Sequence, residues 1–167
     1  MNKKPLWTYP YKILKGKNPP ERFADKSFLS LSFKPIRKWL NVSVIPNCPF
    51  NKMRVALYRA IGFDIGKNVF IGMRCYLDDM CYDQMKIGDN VTISYGVYFA
   101  CHGKNQPHLP ITVDDGAYIG MCARVISKNV DEGVLIGKNA IVGSCTLVNR
   151  NIPDGATAVG IPCKIIS

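Results

Sequence analysis

The chain has 167 residues, 47% of them hydrophobic and 20% charged, which suits one domain with a buried core. No run of about 18 apolar residues occurs, and MNKKPLWTYPYKILKGK lacks the apolar stretch of a signal peptide, so a cytoplasmic protein without a spanning helix is expected. The net charge of +10 is uneven: residues 1–64 hold 13 Lys and Arg against three acids, and the remainder holds nine of each sign.

Residues 1–48 therefore form a basic, proline-bearing arm, extended or mixed, with a short helix suggested by SFKPIRKWLNV. Three readings of its charge stay open: a solvated face, attraction to the inner face of an anionic membrane, or attraction to an anionic acceptor. It carries no nucleic-acid recognition motif, so nucleic acid is not an expected partner. Residues 49–64 follow as a cap. In PFNKMRVALYRAIG, Pro49 precedes and Gly62 follows a helical spacing of Met53, Val55, Leu57, Tyr58 and Ile61. Such a helix would cover the open end of whatever comes next, hiding an edge that could template aggregation.

Residues 65–167 are organised by a six-residue repeat. The hexads open on Ile65, Ile71 and Leu77, then Ile87, Ile93 and Phe99, then Val113, Ile119 and Val125, and last Ile136, Val142 and Val148. Ten of these twelve are Ile or Val, the residues that suit a buried pleated surface. Six of the twelve second positions are Gly, which is expected to permit a tight corner beside each short strand. The fifth positions are mostly small and should point into a narrow interior beside the first. Phase breaks fall only after every third hexad, at 83–86, 105–112 and 131–135. Loops inserted at one corner of a three-sided coil give this pattern, so the fold expected is all-β: a parallel β-helix of about four coils stacked about 4.8 Å apart.

Seven cysteines is an odd count without a CxxC pair. Cys75 and Cys81 are both fifth-position residues, so packing explains their spacing, and the cysteines read as small apolar fillers. No glycine-rich phosphate loop, G-x-S-x-G elbow or HExxH occurs.

The hexads, with the tail IPDGATAVGIPCKII, resemble the hexapeptide-repeat acyltransferases of the left-handed β-helix class, and among these the maltose- and galactoside-type and polysaccharide-modifying sugar O-acetyltransferases. The resemblance covers residues 50–167 and supplies the hand of the coil. It implies an acetyl-CoA-dependent transferase, a homotrimer with the donor in grooves between subunits, and a sugar acceptor of the kind used in polysaccharide biosynthesis. In IGDNVTISYGVYFACHG the histidine matching the family's catalytic one is His102, followed by Gly103 where relatives often carry an acid. The acids Asp78, Asp79 and Asp83 in LDDMCYD match a region that holds acceptor hydroxyls. For coenzyme A the resemblance implies Gly120, Met121, Gly143 and Ser144 along the pantetheine arm, Asn149 and Arg150 where relatives have Thr-Lys, and Lys164 near the phosphates.

A neutral imidazole suits general-base removal of a hydroxyl proton as it attacks a thioester, whose leaving group is good enough that no enzyme nucleophile is needed. His108 reads as a loop residue or acceptor contact. The alternatives are a non-catalytic trimeric scaffold and an N-acetyltransferase acting on an amino sugar or other small amine. A carbonic-anhydrase-like zinc centre would need three histidines, and the chain has two, so no metal is expected.

Overall fold

The computed structural model describes residues 12, 13, 15, 16, 34–102, 108–127 and 133–166. The chain divides into two compact units, Met1–Trp39 and Leu40–Ser167. Within the first, helix α1 spans Lys34–Trp39, inside the segment where a short helix was expected.

The second unit is built by the hexads. The coils contribute short strands to three stacked sheets, the first coil meeting the third sheet only through an isolated bridge. The first sheet stacks β1 (Asp64–Ile65), β3 (Met85–Ile87), β6 (Ile111–Val113) and β9 (Val134–Ile136). The second stacks β2 (Phe70–Ile71), β4 (Thr92–Ile93), β7 (Tyr118–Ile119), β10 (Ile141–Val142) and β12 (Thr157–Val159), and ends on the antiparallel β13 (Lys164–Ile165). The third stacks β5 (Tyr98–Ala100), β8 (Arg124–Ile126) and β11 (Leu147–Val148), with Tyr76 bridging to Tyr98 below them.

Register follows the first hexad position. Ile65 lies against Ile87, Ile87 against Val113 and Val113 against Ile136, while Ile71, Ile93, Ile119 and Val142 make the second ladder. All twelve first-position residues are buried, as are the fifth-position residues that the structure describes. Gly103 and Asn129, at two fifth positions, lie outside the described residues. The three insertions all join the third sheet to the first, so the loops gather at one edge of the prism.

The glycine expectation needs correction. Second-position glycines do not take the corner conformation; the corner is the fourth position, where Asn68, Arg74, Asn90, Cys122, Asn139 and Cys145 all have φ between 53° and 58°. The second position is glycine because successive coils touch there. A Cβ on Gly120 would lie 2.5 Å from the Ser144 nitrogen, and one on Gly66 would lie 2.5 Å from the Gly88 carbonyl carbon.

The N-terminal edge of the first coil is closed by side chains from outside it. Helix α2 (Asn51–Ala60) presents Asn51, whose amide donates to the Val69 carbonyl at 3.1 Å while its oxygen accepts from Ile71 N–H at 3.0 Å. Arg54, almost wholly buried, donates through Nε to the Ile71 carbonyl at 2.7 Å and through its other nitrogens to the carbonyls of Ile71 and Cys48. Tyr58 donates to the Cys75 carbonyl at 3.1 Å and Arg59 to Ile65 at 3.0 Å. Asn41, in the π-helical turn Leu40–Val44, donates to the Leu77 carbonyl. These bonds satisfy backbone groups that a bare coil would leave open to another chain. Helix α2 ends at Gly62, whose φ of +108° suits the glycine cap expected from sequence.

Candidate active site

The edge that collects the insertions also collects the chemistry. Asp78 follows the core residue Leu77 at the exit of the first coil, and Cys101 and His102 leave the second coil above it. The Asp78 side chain is completely buried and accepts three hydrogen bonds. Oδ1 receives Met80 N–H at 3.0 Å, closing a local turn; Oδ2 receives Cys101 N–H at 2.9 Å and His102 Nδ1 at 2.5 Å.

An ionised carboxylate can only accept, so Nδ1 of His102 is the donor in this contact, and in the neutral imidazole the lone pair is then on Nε2. The His102 side chain is 35% exposed, so this basic nitrogen belongs to a ring reachable from solvent. His108, within the 105–112 insertion, stacks on His102 with ring centroids 5.9 Å apart, and its Nδ1 is 2.6 Å from Cys81 Sγ.

The three acids singled out from sequence have three different environments. Asp78 sits beneath His102. Asp79 is nearly buried and accepts from the Tyr76 hydroxyl at 2.9 Å. Burial, with that hydrogen bond and the Asp79 charge, pushes the Tyr76 phenol well above its ordinary range. Asp83 is exposed in the 3-10 turn Tyr82–Gln84.

Sequence reasoning passed over Tyr76, Cys81 and Cys101. Tyr76 stacks on Tyr98 at 4.5 Å, and Arg124 lies 5.7 Å over the Tyr98 ring, giving an aromatic and cationic ladder up the third sheet. The Cys101 thiol is pushed far up, first by its hydrogen bond with Cys81 and then by burial. Coil register was the available signal: third hexads of successive coils stack, which sets LDDMCY beneath FACHGK.

The residues expected to line the donor lie at another edge. Gly120 and Met121 follow β7, and Gly143 and Ser144 follow β10, one coil higher. They stack directly, with the Cys145 N–H donating to the Met121 carbonyl at 2.8 Å. The N–H groups of Gly120 and Gly143 already donate to the carbonyls of Val142 and Ala158 in the ladder between coils, so neither is open to a ligand. Met121 and Ser144 are exposed, as are Arg150 and Lys164 toward the C-terminal end of the helix. Asn149 is half-buried, with Oδ1 buried and unpaired.

The loop-bearing edge joins the third sheet to the first, whereas the Gly120–Gly143 edge joins the second to the third. Within one chain the histidine and these residues stand on different edges of the prism.

This architecture defines a class, and comparison with known proteins narrows it. A galactoside O-acetyltransferase of Escherichia coli K12 is 31% identical over 121 residues, covering 62% of this chain and 56% of that protein. A serine acetyltransferase of Bacillus pumilus is 34% identical over 104 residues, covering 61% of this chain and 44% of that protein. The solved structure of a hexapeptide-repeat acetyltransferase from Vibrio cholerae, complexed with acetyl coenzyme A, matches with a TM-score of 0.63 at 21% identity. That match covers 95% of this chain and 96% of the other, and it shows the shared fold. No protein-family model matches. The chain spans about half the length of these two curated relatives. Its homologues are hexapeptide-repeat acetyltransferases, as the hexads implied.

Proposed function

We propose that the chain is an acetyl-CoA-dependent O-acetyltransferase in which Nε2 of His102 removes the proton from an acceptor hydroxyl as that oxygen attacks the thioester. The observation that carries this reading is the 2.5 Å contact between His102 Nδ1 and the buried Asp78 carboxylate. This contact favours the tautomer that a general base needs and would stabilise the imidazolium formed on proton transfer. Asp78 is thus a positioning residue, while exposed Asp83 remains open to acceptor hydroxyls and buried Asp79 is engaged by Tyr76. The proton returns from His102 to the departing thiolate, which closes the proton balance of the step.

The separation of the two edges supports a homotrimer. A donor lying along Met121 and Ser144 of one chain would need His102 from a neighbour, with Arg150 and Lys164 meeting its phosphates. The acceptor we favour is a sugar hydroxyl, of the kind met in polysaccharide synthesis, because the galactoside enzyme is among the relatives. The serine acetyltransferase relative supports a second reading, an amino-acid hydroxyl. Among the described residues no helix is long and apolar enough to cross a membrane.

The test is thiol release from acetyl-CoA across a panel of sugars, amino sugars and serine. Transfer to a sugar hydroxyl supports the proposal. Transfer to serine alone moves the acceptor to the second reading, transfer only to nitrogen refutes O-acylation, and no thiol release with any acceptor refutes the enzyme.

A further inference from the structure

Beside the Asp78–His102 pair lies a cluster that the acyl-transfer chemistry does not use. The donor atoms of Asp78, Cys81 and Cys101 all fall within 4.8 Å of one another, and all three residues are buried. His108 adds Nδ1 at 2.6 Å from Cys81 Sγ. Two sulfurs and one carboxylate thus converge from two stretches of chain between the first and second coils, while the His108 nitrogen touches one of the sulfurs from outside that triangle.

The geometry points to a zinc-class divalent metal site formed by Cys81, Cys101 and Asp78, with His108 beside it on the Cys81 sulfur. Three protein donors of S and O type, with the fourth position open, make a tetrahedral zinc set with Zn–S near 2.3 Å and Zn–O near 2.0–2.2 Å. Such bonds around a tetrahedral centre set the donors about 3.5–3.8 Å apart, inside the observed span. His108 Nδ1, 2.6 Å from Cys81 Sγ, is placed to donate a hydrogen bond to that sulfur and so orient it as a ligand.

Charge also balances. Both thiols deprotonate on ligation, so one divalent cation replaces two protons and the net charge of the buried cluster is unchanged. An isolated buried thiolate would be costly; a pair of thiolates on a metal is not. Affinity therefore rises with pH, since protons compete for the sulfurs.

The arrangement has a consequence for the catalytic corner. Cys101 immediately precedes His102, and His108 lies six residues after it. A metal on Cys101 pins the residue before His102 to Cys81 and Asp78 of the first coil, His108 reaches the same Cys81 sulfur, and the metal shares the Asp78 carboxylate with His102. The bound metal is thus a clamp on the residue before the base, and through Asp78 it also bears on the carboxylate that orients His102.

The test uses full-length, reduced protein freed of any polyhistidine tag. One zinc per chain retained through gel filtration is expected. Cobalt substitution should give tetrahedral visible bands and near-ultraviolet thiolate charge transfer. These signals should vanish in the Cys81→Ala/Cys101→Ala double variant and persist in Cys122→Ser/Cys145→Ser, which changes the two exposed cysteines. Should the double variant fail to fold, alkylation of the natural protein in urea that opens the metal-free fold decides, because zinc must then slow the reaction of Cys81 and Cys101 with iodoacetamide in peptide mass mapping. Failure of the reduced protein to bind zinc or cobalt, bands that survive the double substitution, or equal alkylation with and without zinc would each overturn the site. Metal content and spectra are read without turnover, so they stand whether or not the acyl-transfer reading holds.

Discussion

Asp78→Asn removes one charge and almost no volume, so its effect is decided by the donors around the side chain. Three N–H groups are aimed at two carboxylate oxygens: Met80 at Oδ1, with Cys101 and His102 at Oδ2. An amide has one accepting oxygen, so at least one of these donors must face its NH2 group. If the NH2 takes the Oδ1 place, the Met80 N–H is orphaned and His102 keeps its tautomer but loses its counter-charge. If it takes the Oδ2 place, the Cys101 N–H is orphaned and the imidazole shifts its proton to Nε2, which abolishes the base. Either way a buried donor goes unpaired, at about 1–3 kcal/mol of stability. In the second case turnover falls toward the level without a general base, roughly 10²–10⁴-fold below the natural enzyme. The assay is kcat/KM by thiol release, beside urea unfolding and the KM for acetyl-CoA. A fall in kcat with KM for the donor unchanged is expected; unchanged kcat/KM in a stably folded variant would refute the coupling of Asp78 to His102.

Other perturbations test the scaffold. Arg54→Met leaves the buried carbonyls of Ile71 and Cys48 without their guanidinium donor, and urea denaturation should show a loss of about 3–5 kcal/mol. Gly120→Ala drives a Cβ to 2.5 Å from the Ser144 backbone, so thermal unfolding should register about 1–3 kcal/mol of overpacking strain, whereas no loss would mean the coils are spaced more loosely than described. Burial raises the Cys75 thiol from 9.0 to about 11, so the folded state holds its proton longer than the unfolded chain. The stability from this neutral thiol is complete below pH 9 and is lost as pH climbs through 11, by about 2–3 kcal/mol. Urea midpoints between pH 8 and 11 should therefore fall, and Cys75→Ala should flatten that slope.

The architecture was legible because the β-helix has a period that the sequence must repeat. Ile65, Ile87, Val113 and Ile136 differ in neighbours but share one inward slot, and each phase break had to be a loop at one corner. The role of glycine was misread for a physical reason: close approach of stacked coils and positive φ both favour Gly, and sequence alone does not separate them. The corner residues Arg74, Cys122 and Cys145 carry side chains at φ near 57°, so nothing in their identity marked the turn. His102 and Asp78 could both be picked out, one coil apart. Their direct bond was hidden because four inserted residues separate the coils and conceal the vertical alignment. Cys81 and Cys101 were legible only as fillers, since packing explains a buried cysteine until a second sulfur and an imidazole are seen beside it.

The most direct measurement pairs two readings on His102→Ala: acetyl-CoA affinity by calorimetry, and thiol release with the best acceptor. Donor affinity like that of the natural chain, with turnover lower by roughly 10²–10⁴-fold, is the predicted result. Turnover undiminished in a protein that lacks the imidazole would contradict the account.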